Sequence, residues 1–203
     1  MITHSFIYDF VNRSLNCLGG GIFNVTYDEI LYHKALEEFV FDYKRWYPND
    51  SNIDERKLLI TPQLEVLLMY RLAHECFLKP EDCTYKNDAD LYALVGRYVG
   101  QMEIFYSSHI GRGLKINHGC GSVIGARCFI GDNCLIHQNC TLGDRDGGRP
   151  TLGNNVIMYA GSMVLGNVKI GDNTIIGANT IVLSDFPANS ILVGTPARNI
   201  AKQ

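Results

Sequence analysis

The sequence predicts an α+β fold, in which an N-terminal α-helical domain is followed by a left-handed parallel β-helix. Two observations carry this prediction. In the first hundred residues, apolar side chains recur at helical spacing. From residue 110 onward, an aliphatic residue recurs at every sixth position and is often followed by glycine. The change of period sets the expected boundary, with residues 1–103 forming the helical domain and residues 104–203 forming the β-helix with a C-terminal tail.

Four helices are expected in the first domain. The first ends near Leu18, before the glycines at 19–21, and the second opens at a capping box of Thr26 and Glu29 and runs to about residue 47. A third helix is expected from residue 62 to residue 78, starting with a proline, and a fourth from residue 88 to residue 100. The segment 46–59 is rich in Pro, Asn and Asp, and we expect it to be a loop.

Each hexad of the repeat begins with an aliphatic residue and carries a small or β-branched residue four positions later. The leading residues are Ile110, Ile116, Ile124, Ile130, Ile136, Leu142, Leu152, Met158, Val164, Ile170, Ile176 and Val182. Both positions are expected to point inward, and Gly or Asn can form the tight corners. Three hexads make one triangular coil, so these leaders predict four coils. The register is interrupted twice, near residues 121–123 and in the polar segment 143–151.

Composition excludes several classes of partner. A net charge of -3 is no basis for binding nucleic acid or an anionic membrane surface. We expect no membrane span, because no apolar run approaches the roughly 18 residues required, and no secretory signal at the start. Seven cysteines, with no Cys-x-x-Cys pair, do not form a secreted disulfide framework, so a cytoplasmic location is expected.

The interruptions of the repeat place polar residues where the fold does not need them. His118 cannot occupy an inward position, so it is free to face a cleft and to take a proton from a hydroxyl group. Glu103, just before the β-helix, can orient the imidazole. Cys128, Cys134 and Cys140 fall on inward positions and are expected to be buried small residues. We therefore expect no metal.

The shape of the predicted β-helix favours self-association. Its faces and edges are open, and a three-sided prism packs naturally around a threefold axis, so we expect a homotrimer. The helical domain is expected to cover the first coil, and it could also join two trimers.

Residues 64–202 resemble the serine acetyltransferases and the related O-acetyltransferases of bacterial surface polysaccharides. The resemblance rests on short stretches, some in the helical half and most in the β-helix. These are Tyr70-Arg71-Leu72-Ala73-His74, Ile110-Gly111-Arg112-Gly113, Asn117-His118-Gly119, Val123-Ile124-Gly125, Cys140-Thr141-Leu142-Gly143 and Gly194-Thr195-Pro196-Ala197-Arg198. The first hundred residues match only loosely outside the first of these stretches.

The resemblance implies direct acetyl transfer from acetyl-CoA to a hydroxyl group. His118 would be the general base and Glu103 its acidic partner, while Asn117 and Arg149 would contact the acceptor. CoA would lie along the coils between subunits. It would be held at Gly143, Ala160, Gly161 and Ala178, with Arg198 near its phosphates.

Three departures from the serine acetyltransferase pattern bear on the acceptor. This chain carries Glu103, Asn117 and Arg149 where that family usually carries Asp, Asp and His. The last two changes remove a negative charge and add a positive one, which disfavours an amino group. Our main hypothesis is therefore an O-acetyltransferase acting on a sugar or surface-glycan hydroxyl, possibly of an acidic sugar.

Other hypotheses stay open beside it. The first is a serine O-acetyltransferase of cysteine biosynthesis, against which the terminal residues 201–203 count mildly, because such enzymes often end in Ile. The second is a non-catalytic trimeric scaffold. A third, less favoured, is a metal site of His118 and His137 across a subunit boundary, as in γ-class carbonic anhydrases, although His137 is expected to be structural or interfacial.

Overall fold

The computed structural model describes residues 2–79 and 83–201. The chain divides into two compact units, Met1–Gly100 and Gln101–Gln203. Residues 202 and 203, the end of the predicted tail, lie outside the described residues. In the part of the chain that is described, no helix combines the length and apolar character needed to cross a bilayer.

The first unit is helical. Its described helices are α1 His4–Gly19, α2 Glu29–Lys44, α3 Glu55–Leu59, α4 Pro62–Phe77 and α5 Cys83–Gly100. The central helix is α4, which packs against both α2 and α5 and is buried on nearly every side. This is why its sequence shows an almost continuous apolar run in place of a one-sided stripe.

The helical unit departs from the sequence prediction at three places. Asp28, and not Thr26, caps α2, because its carboxylate accepts a hydrogen bond from Leu31 N at 3.0 Å. The Thr26 backbone N–H instead donates to Asp88 Oδ2 at 3.0 Å. The segment expected to be a loop contains the short helix α3, capped by Asp54. Helix α5 begins at Cys83, five residues before the predicted start.

A buried carboxyl group in α4 gives the stability of the protein a pH dependence. Glu65 is 5% exposed, and burial raises its pKa from 4.5 to about 7. The folded state therefore binds a proton that the unfolded chain releases between these pH values, and stability falls as pH rises through them. We expect Glu65→Gln to stabilise the protein by on the order of 3 kcal/mol at pH 8 and to have little effect at pH 4.

Urea unfolding can measure this effect through the fluorescence of Trp46, because this tryptophan lies in the helical unit and the chain has only one. An equal effect of the substitution at both pH values would contradict the assignment of the pH dependence to the Glu65 carboxyl group.

The second unit is the predicted left-handed parallel β-helix. Its strands are β1 Glu103–Ile104, β2 His109–Ile110, β3 Lys115–Ile116, β4 Val123–Ile124, β5 Phe129–Ile130, β6 Leu135–Ile136, β7 Thr141–Gly143, β8 Thr151–Leu152, β9 Ile157–Met158, β10 Met163–Leu165, β11 Lys169–Ile170, β12 Ile175–Ile176, β13 Ile181–Val182, β14 Ile191–Val193 and β15 Arg198–Asn199. Each strand from β1 to β10 pairs with the strand three places further on, which makes three sheets. Sheet A is β1-β4-β7-β10-β13, sheet B is β2-β5-β8-β11, and sheet C is β3-β6-β9-β12-β14 with the antiparallel β15.

The leading aliphatic residues fill the interior of the prism, as predicted, and every one of them is buried. The repeat also extends beyond both predicted ends. Ile104 leads a hexad in β1, six residues before Ile110, and Leu192 leads one in β14. Leu192 is out of register with Val182 because the turn between them is two residues short, so that Phe186 and not residue 188 pairs with Ile170.

One predicted inward residue is wrong. Cys120, which lies four positions after the leading residue Ile116 and was therefore expected to point inward, is exposed, and Ser122 occupies the inward position. The reason is that two residues are inserted earlier in this turn than the sequence suggested, which moves the register by two. The other cysteines of the repeat, Cys128, Cys134 and Cys140, are buried inside the prism as predicted.

Candidate active site

The polar residues of interest cluster at two edges of the prism. We call the turn from sheet C to sheet A the C–A corner; it comprises residues 117–122, 137–140, 159–162 and 177–180 on successive coils. We call the turn from sheet A to sheet B the A–B corner; its longest segment is residues 144–150.

His118 projects from a two-residue bulge at the C–A corner. Backbone bonds from Asn139 N to Cys120 O at 2.9 Å and from Gly161 N to Gln138 O at 3.0 Å show that Cys120 and Gln138 are equivalent positions. The register pairs Ile116 with Ile136, so His118 and Gly119 are the additional residues.

The backbone of the bulge is strained. His118 has a φ of 67° and Gly119 a φ of 71°, both in the left-handed region. A non-glycine residue held in such a conformation costs about 1–3 kcal/mol, and strain of this kind collects at functional sites. The His118 side chain is exposed. The conformation that holds the imidazole outward at this corner therefore lowers the stability of the fold.

Ser122 closes the bulge and was not predicted from the sequence. Its hydroxyl donates to His137 O at 2.9 Å and accepts from Cys140 N at 3.0 Å, and the residue is buried. These two bonds tie the end of the bulge to the coil below. The sequence did contain a signal for Ser122. When His118 and Gly119 are counted as inserted residues, this small residue falls on the inward position of the hexad that begins at Ile116.

Glu103 lies at the same corner, one coil before His118. It begins β1, pairs in register with Val123, and its backbone N–H donates to Ser122 O at 2.9 Å. Its side chain is half-buried. The carboxylate and the bulge are therefore held by one stretch of sheet A, although the proposed contact between the two side chains stays a prediction.

A column of outward residues runs beside the bulge. Asn117, His137 and Tyr159 each follow the leading residue of a paired strand of sheet C, so they stack on successive coils. The His137 and Tyr159 ring centroids are 5.1 Å apart, with an angle of 32° between the ring planes. Burial lowers the pKa of His137, and the nearby His118 lowers it further. Tyr159, like Ser122, was not predicted as a site residue.

Small residues continue the C–A corner away from His118. Ala160 and Gly161 lie two coils beyond it and Ala178 lies three, with Ala178 exposed. At Gly161 the φ is 73°, and a Cβ there would come within 2.3 Å of Asn179 Oδ1. Arg198, in β15, is exposed and pairs with Val193 at the end of sheet C.

Two predicted site residues lie elsewhere in the chain. Gly143 ends β7 and Arg149 is the penultimate residue of the loop 144–150 that follows, both at the A–B corner. The Arg149 guanidinium donates to Ala126 O and to Gly148 O, each at 2.9 Å, and forms an ion pair with Asp144. Within one chain, His118 and Arg149 are therefore at opposite ends of the strands of sheet A.

A hexapeptide β-helix with an outward imidazole at a strained corner is the architecture expected of an acyltransferase of the hexapeptide-repeat class, and the comparisons with known proteins assign the chain to that class. The family described as bacterial transferase hexapeptide (six repeats) matches residues 149–184. The serine acetyltransferase of Helicobacter pylori is 41% identical over 149 residues, which cover 71% of this chain and 85% of that protein. The chain belongs to the serine acetyltransferase family.

Other comparisons agree with this assignment. The serine acetyltransferase of Synechococcus elongatus is 40% identical over 147 residues, which cover 70% of this chain and 59% of that protein. The crystal structure of Neisseria gonorrhoeae serine acetyltransferase in complex with serine has a TM-score of 0.75 and 27% identity, covering 96% of this chain and 84% of that one. A soybean serine acetyltransferase complexed with serine has a TM-score of 0.72 and 26% identity, and the match covers 83% of this chain and 70% of that one.

The chain is thus an O-acetyltransferase that uses acetyl-CoA as co-substrate, and the scaffold alternative is set aside. The predicted sugar acceptor is wrong, because the relatives are named serine acetyltransferases and two solved neighbours hold serine. The structure supplies a physical reason. The prediction treated Arg149 as an added positive charge without a partner, whereas the structure pairs it with the carboxylate of Asp144.

Proposed function

We propose that this protein is a serine O-acetyltransferase, which transfers the acetyl group of acetyl-CoA to the hydroxyl of L-serine. The observation that carries the proposal is the strained bulge that presents His118 at the C–A corner, in a chain whose relatives are serine acetyltransferases. Glu103, from the neighbouring coil, is the group that orients the imidazole.

The residues of the corner suggest the course of the reaction. His118 takes the proton of the serine hydroxyl as its oxygen bonds to the carbonyl carbon of the thioester. The C–S bond then breaks, and His118 returns the proton to the departing sulfur. The charge of the imidazolium between these steps is offset by the Glu103 carboxylate. No group on the protein needs to be acetylated.

The small residues of the C–A corner suit the binding of CoA. Ala160, Gly161 and Ala178 leave the backbone accessible along the corner, so an extended pantetheine arm can lie against it with its thioester end at His118. Arg198, further along, offers a planar guanidinium to the phosphates. Gly143 is assigned to the same CoA molecule, although it lies at the A–B corner and would have to come from a neighbouring subunit.

We propose a homotrimer, and the separation of these residues supports it. Gly143 and Arg149 are at the A–B corner and His118 is at the C–A corner, so one site can contain all three only if the A–B corner of a neighbouring subunit meets the C–A corner. The outward face of sheet C supports such packing, since Leu135, Ile157 and Ile191 are apolar and incompletely buried. In the helical unit, the exposed side chains of Ile22 and Ile30 could join two trimers.

In this arrangement Asn117 and Arg149 contact the acceptor. The guanidinium of Arg149 is held in place by Ala126 O and Asp144, and it can still offer a donor to the serine carboxylate. Asn117, a half-buried neighbour of His118, can accept a hydrogen bond from the serine ammonium group through its amide oxygen. The seven cysteines are free thiols, which supports a reducing, cytoplasmic setting.

The acceptor is tested by measuring thiol release from acetyl-CoA. With L-serine we expect steady turnover and O-acetylserine as the product by mass spectrometry. L-alanine, which differs from serine only in lacking the hydroxyl group, is the matched acceptor and should give no release above the rate of spontaneous hydrolysis. Absence of turnover with L-serine would overturn the proposed function.

A further inference from the structure

A second imidazole lies beside the bulge that presents His118. Asn117 N donates to Ile136 O at 2.8 Å, which places Asn117 directly over His137 on the next coil. His137 is thus the next outward residue of this column toward Ala160, between His118, where the thioester end of the co-substrate is assigned, and the part of the corner assigned to the pantetheine arm. Its side chain is half-exposed.

The position of His137 is fixed from two sides. The Ser122 hydroxyl binds its carbonyl oxygen at 2.9 Å, and the same serine ends the bulge that carries His118. The ring rests on Tyr159, with centroids 5.1 Å apart. The first contact fixes the backbone of His137 and the second supports its ring, and both reduce the conformational entropy that the side chain loses when it binds a ligand, as expected of a preorganised group.

His137 is also kept neutral near pH 7. Burial lowers its pKa, and the neighbouring His118 adds to the effect. A neutral imidazole keeps one N–H donor and one acceptor, and it does not compete with His118 for the proton of the reaction. A preorganised neutral donor next to the base is suited to an oxygen that gains negative charge in the transition state.

We propose that His137 is a second catalytic residue, whose ring N–H donates a hydrogen bond to the carbonyl oxygen of the acetyl thioester. As the acceptor oxygen bonds to the carbonyl carbon, the electron pair of the C=O bond moves onto this oxygen and the hydrogen bond strengthens. The pair returns when the C–S bond breaks, and His137 keeps its proton throughout. The proposal rests on the proposed function only in that acetyl-CoA occupies the C–A corner.

Two substitutions separate this role from simple packing. His137→Phe keeps an aromatic ring against Tyr159 and removes the donor, and we expect kcat to fall about 100-fold with KM for acetyl-CoA changed by less than about threefold. His137→Gln removes the ring and keeps an N–H donor, and we expect it to retain kcat within about tenfold of the wild type. If His137 contributes only by packing against Tyr159, His137→Phe should retain a higher kcat than His137→Gln.

His109→Phe is the matched control. His109 stacks on Phe129 with centroids 4.9 Å apart on sheet B, away from the C–A corner, so its loss should leave kcat unchanged. Thermal unfolding of each variant establishes that it is folded. Full kcat in His137→Phe would overturn the inference.

A readout without an acceptor distinguishes this failure from failure of the proposed function. A non-cleavable ketone analogue of acetyl-CoA keeps the carbonyl group, and it should shift the ring ¹⁵N resonances of His137, identified by their loss in His137→Gln, whatever the acceptor is. Unchanged resonances with bound analogue would overturn the inference even if serine is acetylated. Shifted resonances without serine turnover would sustain it and overturn the proposed acceptor.

Discussion

Replacing His118 with asparagine is expected to lower kcat/KM for acetyl transfer by about 10²–10⁴-fold while leaving the fold intact. Asparagine is chosen because it tolerates the left-handed φ of 67° at this position, whereas alanine would add strain to the loss of the base. An amide cannot take up a proton near neutral pH, so the acceptor hydroxyl would lose its general base. Thiol release at saturating acetyl-CoA, together with thermal unfolding, measures both parts of the expectation.

His109→Asn is the control for this substitution. It makes the same chemical change at another exposed histidine of the β-helix, on sheet B, and should keep the wild-type rate. If His118→Asn retained activity within a few-fold of the wild type while folded, His118 would not be the base and the assignment of the C–A corner as the reaction centre would fail.

The interior of the β-helix could be predicted almost entirely from the sequence. A solenoid of hexads repeats one local environment, so each buried leader appears at a fixed spacing and errors do not accumulate. Ile104 was within reach of the same reasoning, because it lies six residues before Ile110. Leu192 was not, since the repeat is two residues short between Val182 and Phe186, and only strand pairing with Ile176 identifies Leu192.

The corner that carries His118 shows where this reasoning stops. The spacing from Ile116 to Ile124 reveals two additional residues, but Gly119 and Gly121 both suit a tight turn, so the sequence does not say which residues bulge. The hydrogen bonds between coils decide it, and they make Cys120 exposed and Ser122 buried. A residue-by-residue reading therefore found the catalytic candidate but missed the serine that positions it.

The acceptor could not be predicted because it depends on pairs of residues. Arg149 alone suggests a positive site, and only the folded loop brings Asp144 against it. The separation of Arg149 and His118 could not be predicted for the same reason, because only the folded chain shows that they lie at different corners of the prism. Substitutions relative to a family pattern thus say little about charge at a site until the partners of each residue are known.

The helical unit contains a buried ion pair whose disruption is expected to have the largest effect on stability. Arg71, in α4, donates from Nε and Nη2 to the two carboxylate oxygens of Asp42, in α2, at 2.9 and 3.1 Å. Burial alone would lower the pKa of Arg71, but Asp42 more than offsets this and raises it. Arg71→Met leaves the carboxylate buried without this partner, so we expect a loss of about 3–5 kcal/mol in the free energy of unfolding.

The double variant Asp42→Leu/Arg71→Met distinguishes two contributions to the free energy of unfolding. One is the cost of burying the Asp42 carboxylate after Arg71 is removed, and the other is the stabilisation that the ion pair itself provides. Replacing both ions of a buried pair with apolar groups of similar volume is often close to neutral, so the double variant should recover most of the stability lost in Arg71→Met. Urea unfolding followed by the fluorescence of Trp46 measures both, since this tryptophan lies just beyond the end of α2. A double variant no more stable than Arg71→Met would mean that the hydrogen-bonded pair itself, and not merely the avoidance of a buried carboxylate that has lost Arg71, holds α2 against α4.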